Sequence, residues 1–194
     1  MKRSLLFLHV HKTGGSALTG VLGTRFAARD CAELYFPPEP DLSDLDRFRY
    51  VSGHLNAPFI ERFAHPPFVL TVLRDPIDRA LSSYSYTHSF PADHQFPPVV
   101  RIGHRPDAGE MGREWLRLTR ELEIGEVISR APEVAREYLG NRQARALGTG
   151  ETGDERLSTA LEGLDRCDFV GLTEKLDESI ELLTRRLEWE SLRP

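Results

Sequence analysis

Apolar residues along the chain fall into short continuous runs separated by longer stretches of helical spacing. Leu5 to Val10 is apolar apart from His9 and is bounded by a glycine-containing turn, a pattern that predicts a buried strand. Beyond His11-Lys12-Thr13-Gly14-Gly15, the spacing of Leu18, Val21, Leu22 and Phe26 predicts a helix from Ser16 to about Ala28. Ser16 stands at its N-cap or in its first turn. Residues 36 to 46, rich in Pro and Asp, read as a loop. Tyr50 to Gly53 reads as a short strand and Pro58 to Phe63 as a short helix.

A second buried-strand pattern covers Pro67 to Leu73 and ends at Arg74-Asp75-Pro76. Proline suits the first turn of a helix, so Ile77 to about Thr87 is expected to be helical. Residues 88 to 108 have no clear period and are expected to form a loop or lid. Helical stretches follow near 110–123, 124–130 and 133–139. Gly148 to Gly153 reads as a flexible break, Glu155 to Leu164 as a helix, Phe169 to Leu172 as a strand and Leu176 to Trp189 as a helix. Strands alternating with helices imply a parallel sheet covered on both faces. The expected fold class is therefore α/β, a P-loop-like three-layer α/β/α arrangement with a central parallel sheet. The whole chain, 1–194, is expected to be one domain.

Composition narrows the field. With 194 residues, 40% hydrophobic and 28% charged, the chain has the makeup of a globular protein. The formal net charge of −5 argues against a general nucleic-acid binder, and mildly against a highly anionic polymer as substrate. No run approaches the roughly 18 to 20 apolar residues of a membrane span. The six-residue apolar start lacks a small-residue cleavage site, so a cytoplasmic location is expected. Cys31 and Cys167 fit no metal spacing and read as small apolar fillers.

Two blocks carry candidate chemistry. In Lys12-Thr13-Gly14-Gly15-Ser16, a glycine turn opens a helix, so backbone N–H groups and the helix dipole converge on an anion site. Gly14 and Gly15 allow close backbone approach, Lys12 brings a mobile charge, and Thr13 and Ser16 bring hydroxyl donors. A Walker P-loop places lysine after the second glycine, whereas here the lysine comes first. A plain left-handed turn with an exposed lysine is the bland alternative. In the second block, Arg74 to Tyr84, Arg74 sits at a strand end, where it could fork two hydrogen bonds onto a phosphate. Ser82, two turns into the helix, is a further donor, and Arg79 could instead pair with Asp75 or Asp78 on the surface.

Together these blocks resemble the PAPS-dependent sulfotransferases, in particular the branch containing heparan sulfate 2-O-sulfotransferase and its bacterial relatives. PAPS is 3′-phosphoadenosine 5′-phosphosulfate. Phe7 to Ser16 is similar to the family's 5′-phosphosulfate loop, and Arg74 to Tyr84 to its 3′-phosphate motif of R-D-P-x-x-R-x-x-S-x-Y form. Asn141 to Arg145 looks like an N-x-Q-x-R element, and Phe169 to Glu174 like a late G-L-T-E strand. In order and spacing the four segments cover nearly the whole chain. One departure is His11, where the family usually has proline.

The resemblance implies a sulfuryl transfer from PAPS to an acceptor hydroxyl, with PAP as product, no metal, and a carbohydrate as acceptor. Lys12 would neutralise the leaving phosphate oxygen. Thr13, Gly14, Gly15, Ser16, Arg74 and Ser82 would hold the donor. A base is also needed, and His54, just after the strand-like Val51-Ser52-Gly53, is the expected one. A structural histidine bonded to backbone is its alternative. His9 reads as a core residue. His65, His88, His94 and His104 read as solvated loop residues, with His94 or His104 able to line an acceptor site. The arginines at 101, 105, 113, 117 and 120 are interleaved with acids and read as a solvated ion-paired face. A nucleotide-dependent kinase and a catalytically inactive nucleotide-binding protein are the competing readings. Acceptor identity and oligomeric state are open.

Overall fold

A computed structural model describes residues 3–34, 42–90 and 108–190. Its strands are β1 (Leu5–Leu8), β2 (Cys31–Leu34), β3 (Tyr50–Gly53), β4 (Phe68–Leu73) and β5 (Phe169–Leu172). All pair in parallel in the order β2-β3-β1-β4-β5. The helices are α1 (Gly15–Gly23), α2 (Pro76–His88), α3 (Ala108–Glu121), α4 (Ile124–Arg130), α5 (Pro132–Tyr138), α6 (Arg142–Leu147), α7 (Gly153–Asp165) and α8 (Leu176–Arg186). Helices flank the sheet, as the expected α/β/α class requires.

Alternation along the strands builds the layers. Leu5, Phe7, Leu70 and Val72 face one way and pack with Leu18 and Leu22 of α1 and Leu183 of α8. Leu6, Leu8, Val51 and Val69 face the other way, onto Leu55, Ala57, Phe59 and Phe63. On that side α7 comes close: a Cβ on Gly163 would meet the Leu147 carbonyl and the Ala57 side chain. Beside the sheet, Trp115 is wholly buried among Leu118, Val127, Ala135 and Tyr84, and it stacks on Tyr138 at 4.9 Å. That cluster joins α3, α4 and α5 to α2.

Several expectations need correction. Strand β2 was not anticipated, because Cys31-Ala-Glu-Leu is short and carries an exposed glutamate. Arg142–Leu147, read from sequence only as part of an N-x-Q-x-R element, is a helix capped by Asn141, whose side chain accepts from the Ala144 N–H. The break at Gly148 to Gly153 is tied down, since the Thr149 N–H donates to Thr159 Oγ1 and Thr152 caps α7. His88 belongs to α2 rather than a loop, with Nδ1 2.6 Å from the Thr119 carbonyl. Arg79 is not a surface residue: it is 1% exposed and holds neither Asp75 nor Asp78. The acid-laced face is borne out at Arg117, which pairs with Glu114 and Glu121 at 2.7 Å each. The expected lid, apart from its ends, lies outside the described residues, as do Arg101, Arg105, His94 and His104. Among the described residues no helix is long and apolar enough to cross a membrane.

Candidate functional site

In an all-parallel sheet every strand delivers its C-terminal residue to the same edge. Leu8 of β1 is level with Gly53 of β3 and Thr71 of β4, so the segments after those strands emerge side by side. Chain connections from central β1 and β4 depart toward opposite halves of the sheet, the switch point outside which open α/β sheets place their ligands. The glycine loop, His54 and Arg74 all stand at that edge.

The loop after β1 is shaped from within. Lys12 and Gly14 both take positive φ, 66° and 75°. Glycine is suited to this geometry, while lysine there is uncommon. Gly15 is required for a different reason, because a Cβ on it would lie 2.2 Å from the His9 ring. Gly14 occupies the cap position of α1, whose first turn has no acidic residue, so its N-terminal amides present an uncompensated positive end. Ser16 is exposed in that turn. Thr13 is fully buried and its hydroxyl donates to the Val10 carbonyl at 2.9 Å, so its side chain locks the loop instead of facing outward.

Arg74 leaves β4 half-buried, and its Nη1 lies 3.4 Å from the Lys12 carbonyl. Its backbone is gripped from α6: the Arg74 N–H donates to Gln143 Oε1 at 2.8 Å, and Gln143 Nε2 donates to the Arg74 carbonyl at 2.7 Å. The next amide, of Asp75, donates to Glu174 at 2.7 Å, and the Asp75 carboxylate caps α2 through the N–H groups of Ile77 and Asp78. Ser82 is half-buried on α2. Beyond β5, the Thr173 hydroxyl sits 2.7 Å from the Thr13 carbonyl and 3.0 Å from that of Leu73, joining the two loops. The sequence placed Gln143 and Thr173 in motifs but gave no sign of these clasps.

Arg79 supports the site from below. Its Nη2 reaches the carbonyls of Leu139 and Gly140 at 2.8 and 2.9 Å and that of Tyr138 at 3.4 Å, at the end of α5 just before α6. Burial, with Arg142, Arg145 and Arg74 nearby, pulls its pKa down to about 10, still charged at neutral pH.

Three histidines meet next to the loop. His54 Nδ1 is 2.9 Å from the His9 carbonyl. A carbonyl only accepts, so Nδ1 carries the hydrogen and the neutral ring keeps its lone pair on Nε2. His11 stacks on His54 with centroids 3.7 Å apart, and His9 lies tilted at 4.7 Å. Burial first, and then His54 and Lys12, depress the pKa of His9 to about 3, which keeps its ring neutral. The Lys12 pKa is lowered by burial and by Arg74, and its ammonium lies over the Tyr86 ring.

Chemically, the edge offers convergent amides, a lysine, an arginine fixed at its backbone and an imidazole with a defined tautomer. Among the described residues no cluster of three or more His, Cys, Asp or Glu is arranged to hold a metal. No protein-family model matches the chain, and no curated protein does.

Proposed function

We propose that this chain is a sulfotransferase that moves a sulfuryl group from PAPS to an acceptor hydroxyl, with a carbohydrate as the acceptor class. One observation carries the reading: Lys12, the amide-rich α1 terminus, Arg74 and His54 come from separate segments and meet at one edge of the sheet. Ser82 follows Arg74 on α2. The cradle also suits a phosphate, because α1 opens without an acid in its first turn.

When bound, PAPS supplies an activated sulfuryl group on its 5′-phosphate. The amides of Gly14, Gly15 and Ser16 hold that phosphate, with Thr13 fixing the loop behind them. Arg74 and Ser82 take the 3′-phosphate. Lys12 neutralises the charge that develops on the phosphate oxygen as its bond to sulfur breaks. His54 Nε2 accepts the acceptor's hydroxyl proton as the new sulfur–oxygen bond forms, and Nδ1–H keeps the ring oriented on the His9 carbonyl. Work of this kind is positioning and charge stabilisation, as in phosphoryl transfer.

A thermal-shift comparison of PAP with ATP–magnesium tests the reading. PAP at about 100 times its Kd adds about 2.7 kcal/mol of stability. The expected result is a shift with PAP that is lost in Arg74→Ala and reduced in Lys12→Ala. Stabilisation by ATP–magnesium alone would return the chain to the kinases. Stabilisation by PAP with no acceptor ever sulfated would make it an inactive binder.

A further inference from the structure

Among the described residues no ion pair includes Lys12. Its ammonium instead lies 3.7 Å from the centroid of the Tyr86 ring. Three features make the contact directed. The positive φ of Lys12 turns the residue out of the ordinary course of the loop. The carbonyl of Lys12 is held by Arg74, and the Arg74 charge disfavours an ammonium left without a partner. Tyr86 is itself braced by Phe90, edge-on at 4.6 Å and 70°. Ser82 and Tyr86 are four residues apart on α2, so they share a helix face.

We infer that Tyr86 is a positioning residue for Lys12, its ring face docking the lysine ammonium on the α2 wall that also carries Ser82. The role given to Lys12 in catalysis rests on the sulfotransferase reading, while the docking does not. A lysine side chain is a flexible four-carbon stem, and a docked end spares the search for one productive placement. Attraction comes from the ring face and not from the hydroxyl, so phenylalanine should serve nearly as well, and leucine should not.

The chain has three lysines, Lys2, Lys12 and Lys175, so selective carbon-13 lysine labelling gives a spectrum simple enough to assign with Lys12→Arg. In the full chain the Lys12 side-chain signals should be moved upfield by the Tyr86 ring. Tyr86→Phe should keep the displacement, and Tyr86→Leu should return the signals to the position of an exposed lysine. Tyr86 is 49% exposed, so the variants are expected to fold, which circular dichroism checks. In the transfer assay Tyr86→Leu should lose about two- to fivefold in kcat, the size of an exposed cation–π contact, with a smaller change in the donor KM. Tyr86→Phe should match the parent. An undisplaced Lys12 signal in the parent, or one unchanged in Tyr86→Leu, overturns the inference. So does a kcat unchanged in Tyr86→Leu. A displaced signal in a chain that does not bind PAP overturns the sulfotransferase reading and leaves the docking standing.

Discussion

The side chain of Gln143 satisfies both backbone hydrogen-bonding groups of Arg74, as a neighbouring strand would. Strand β4 has ended by this point, and β5 runs on only to Leu172, the partner of Leu73. An amide side chain can imitate a peptide because it offers one acceptor and one donor in the same plane. Gln143→Ala should therefore cost about 1–3 kcal/mol in urea unfolding. It should also weaken PAP binding while every proposed ligand is still present. Gln143→Glu keeps the acceptor and loses the donor, so it should fall between the two. Unchanged PAP affinity in Gln143→Ala would show that the grip does not steer Arg74.

Arg79 presents a second stability test. Its removal takes a donor from the half-buried carbonyls of Leu139 and Gly140. Arg79→Met, which preserves much of the side-chain length, should destabilise by about 1–3 kcal/mol. Arg79→Lys should recover part of that loss. Denaturant melts of the two variants decide it, and a methionine variant as stable as the parent would refute the account.

Gly15 and His9 should behave as a coupled pair. Gly15→Ala puts a methyl group into the His9 ring and should destabilise by about 1–3 kcal/mol. His9→Ala opens that space, so the double variant should be less damaged than the sum of the singles. A double-mutant cycle on thermal unfolding reads the coupling directly.

His9 also sets a pH dependence. Its folded-state pKa is near 3 and its unfolded one is near the ordinary 6.5. Between those values the unfolded chain binds the extra proton. The stability contributed by neutral His9 is thus fully present above about pH 6.5 and declines as pH falls toward 3, by about 1.4 kcal/mol per pH unit. His9→Asn should flatten the loss between pH 6.5 and 4.5, before most carboxylates titrate. Parallel slopes for parent and variant in urea melts would contradict the assignment.

The fold was legible wherever one local pattern decided it. Tyr50 to Gly53 and Phe169 to Leu172 are strands within the bounds their apolar runs suggested, and Ile124 to Arg130 is a helix within those its spacing suggested. Strand β2 was hidden because four residues with a glutamate among them give too little alternation to register. For Arg79 the surface-pair alternative fails for a physical reason: nearby acids at 75 and 78 suggest it, while its real partners are carbonyls some sixty residues away. In the candidate site, the glycine loop, Arg74 and His54 could be picked out by residue type and spacing. The clasps of Gln143 and Thr173, the stack of His11 on His54 and the docking of Lys12 on Tyr86 could not. Each depends on which segments the sheet order brings together, and local sequence holds no record of that.

The hydroxyl of Thr173 has a consequence for how the molecule assembles. It ties Thr13, near the start of the chain, to Leu73 and to the strand that forms last in sequence order. During synthesis, β1 and the glycine turn leave the ribosome long before residue 173 exists. The glycine loop therefore gains this fastening only when the segment that follows β5 docks. Chains cut short before β5 would hold four of the five strands and yet lack this tie between the two loops.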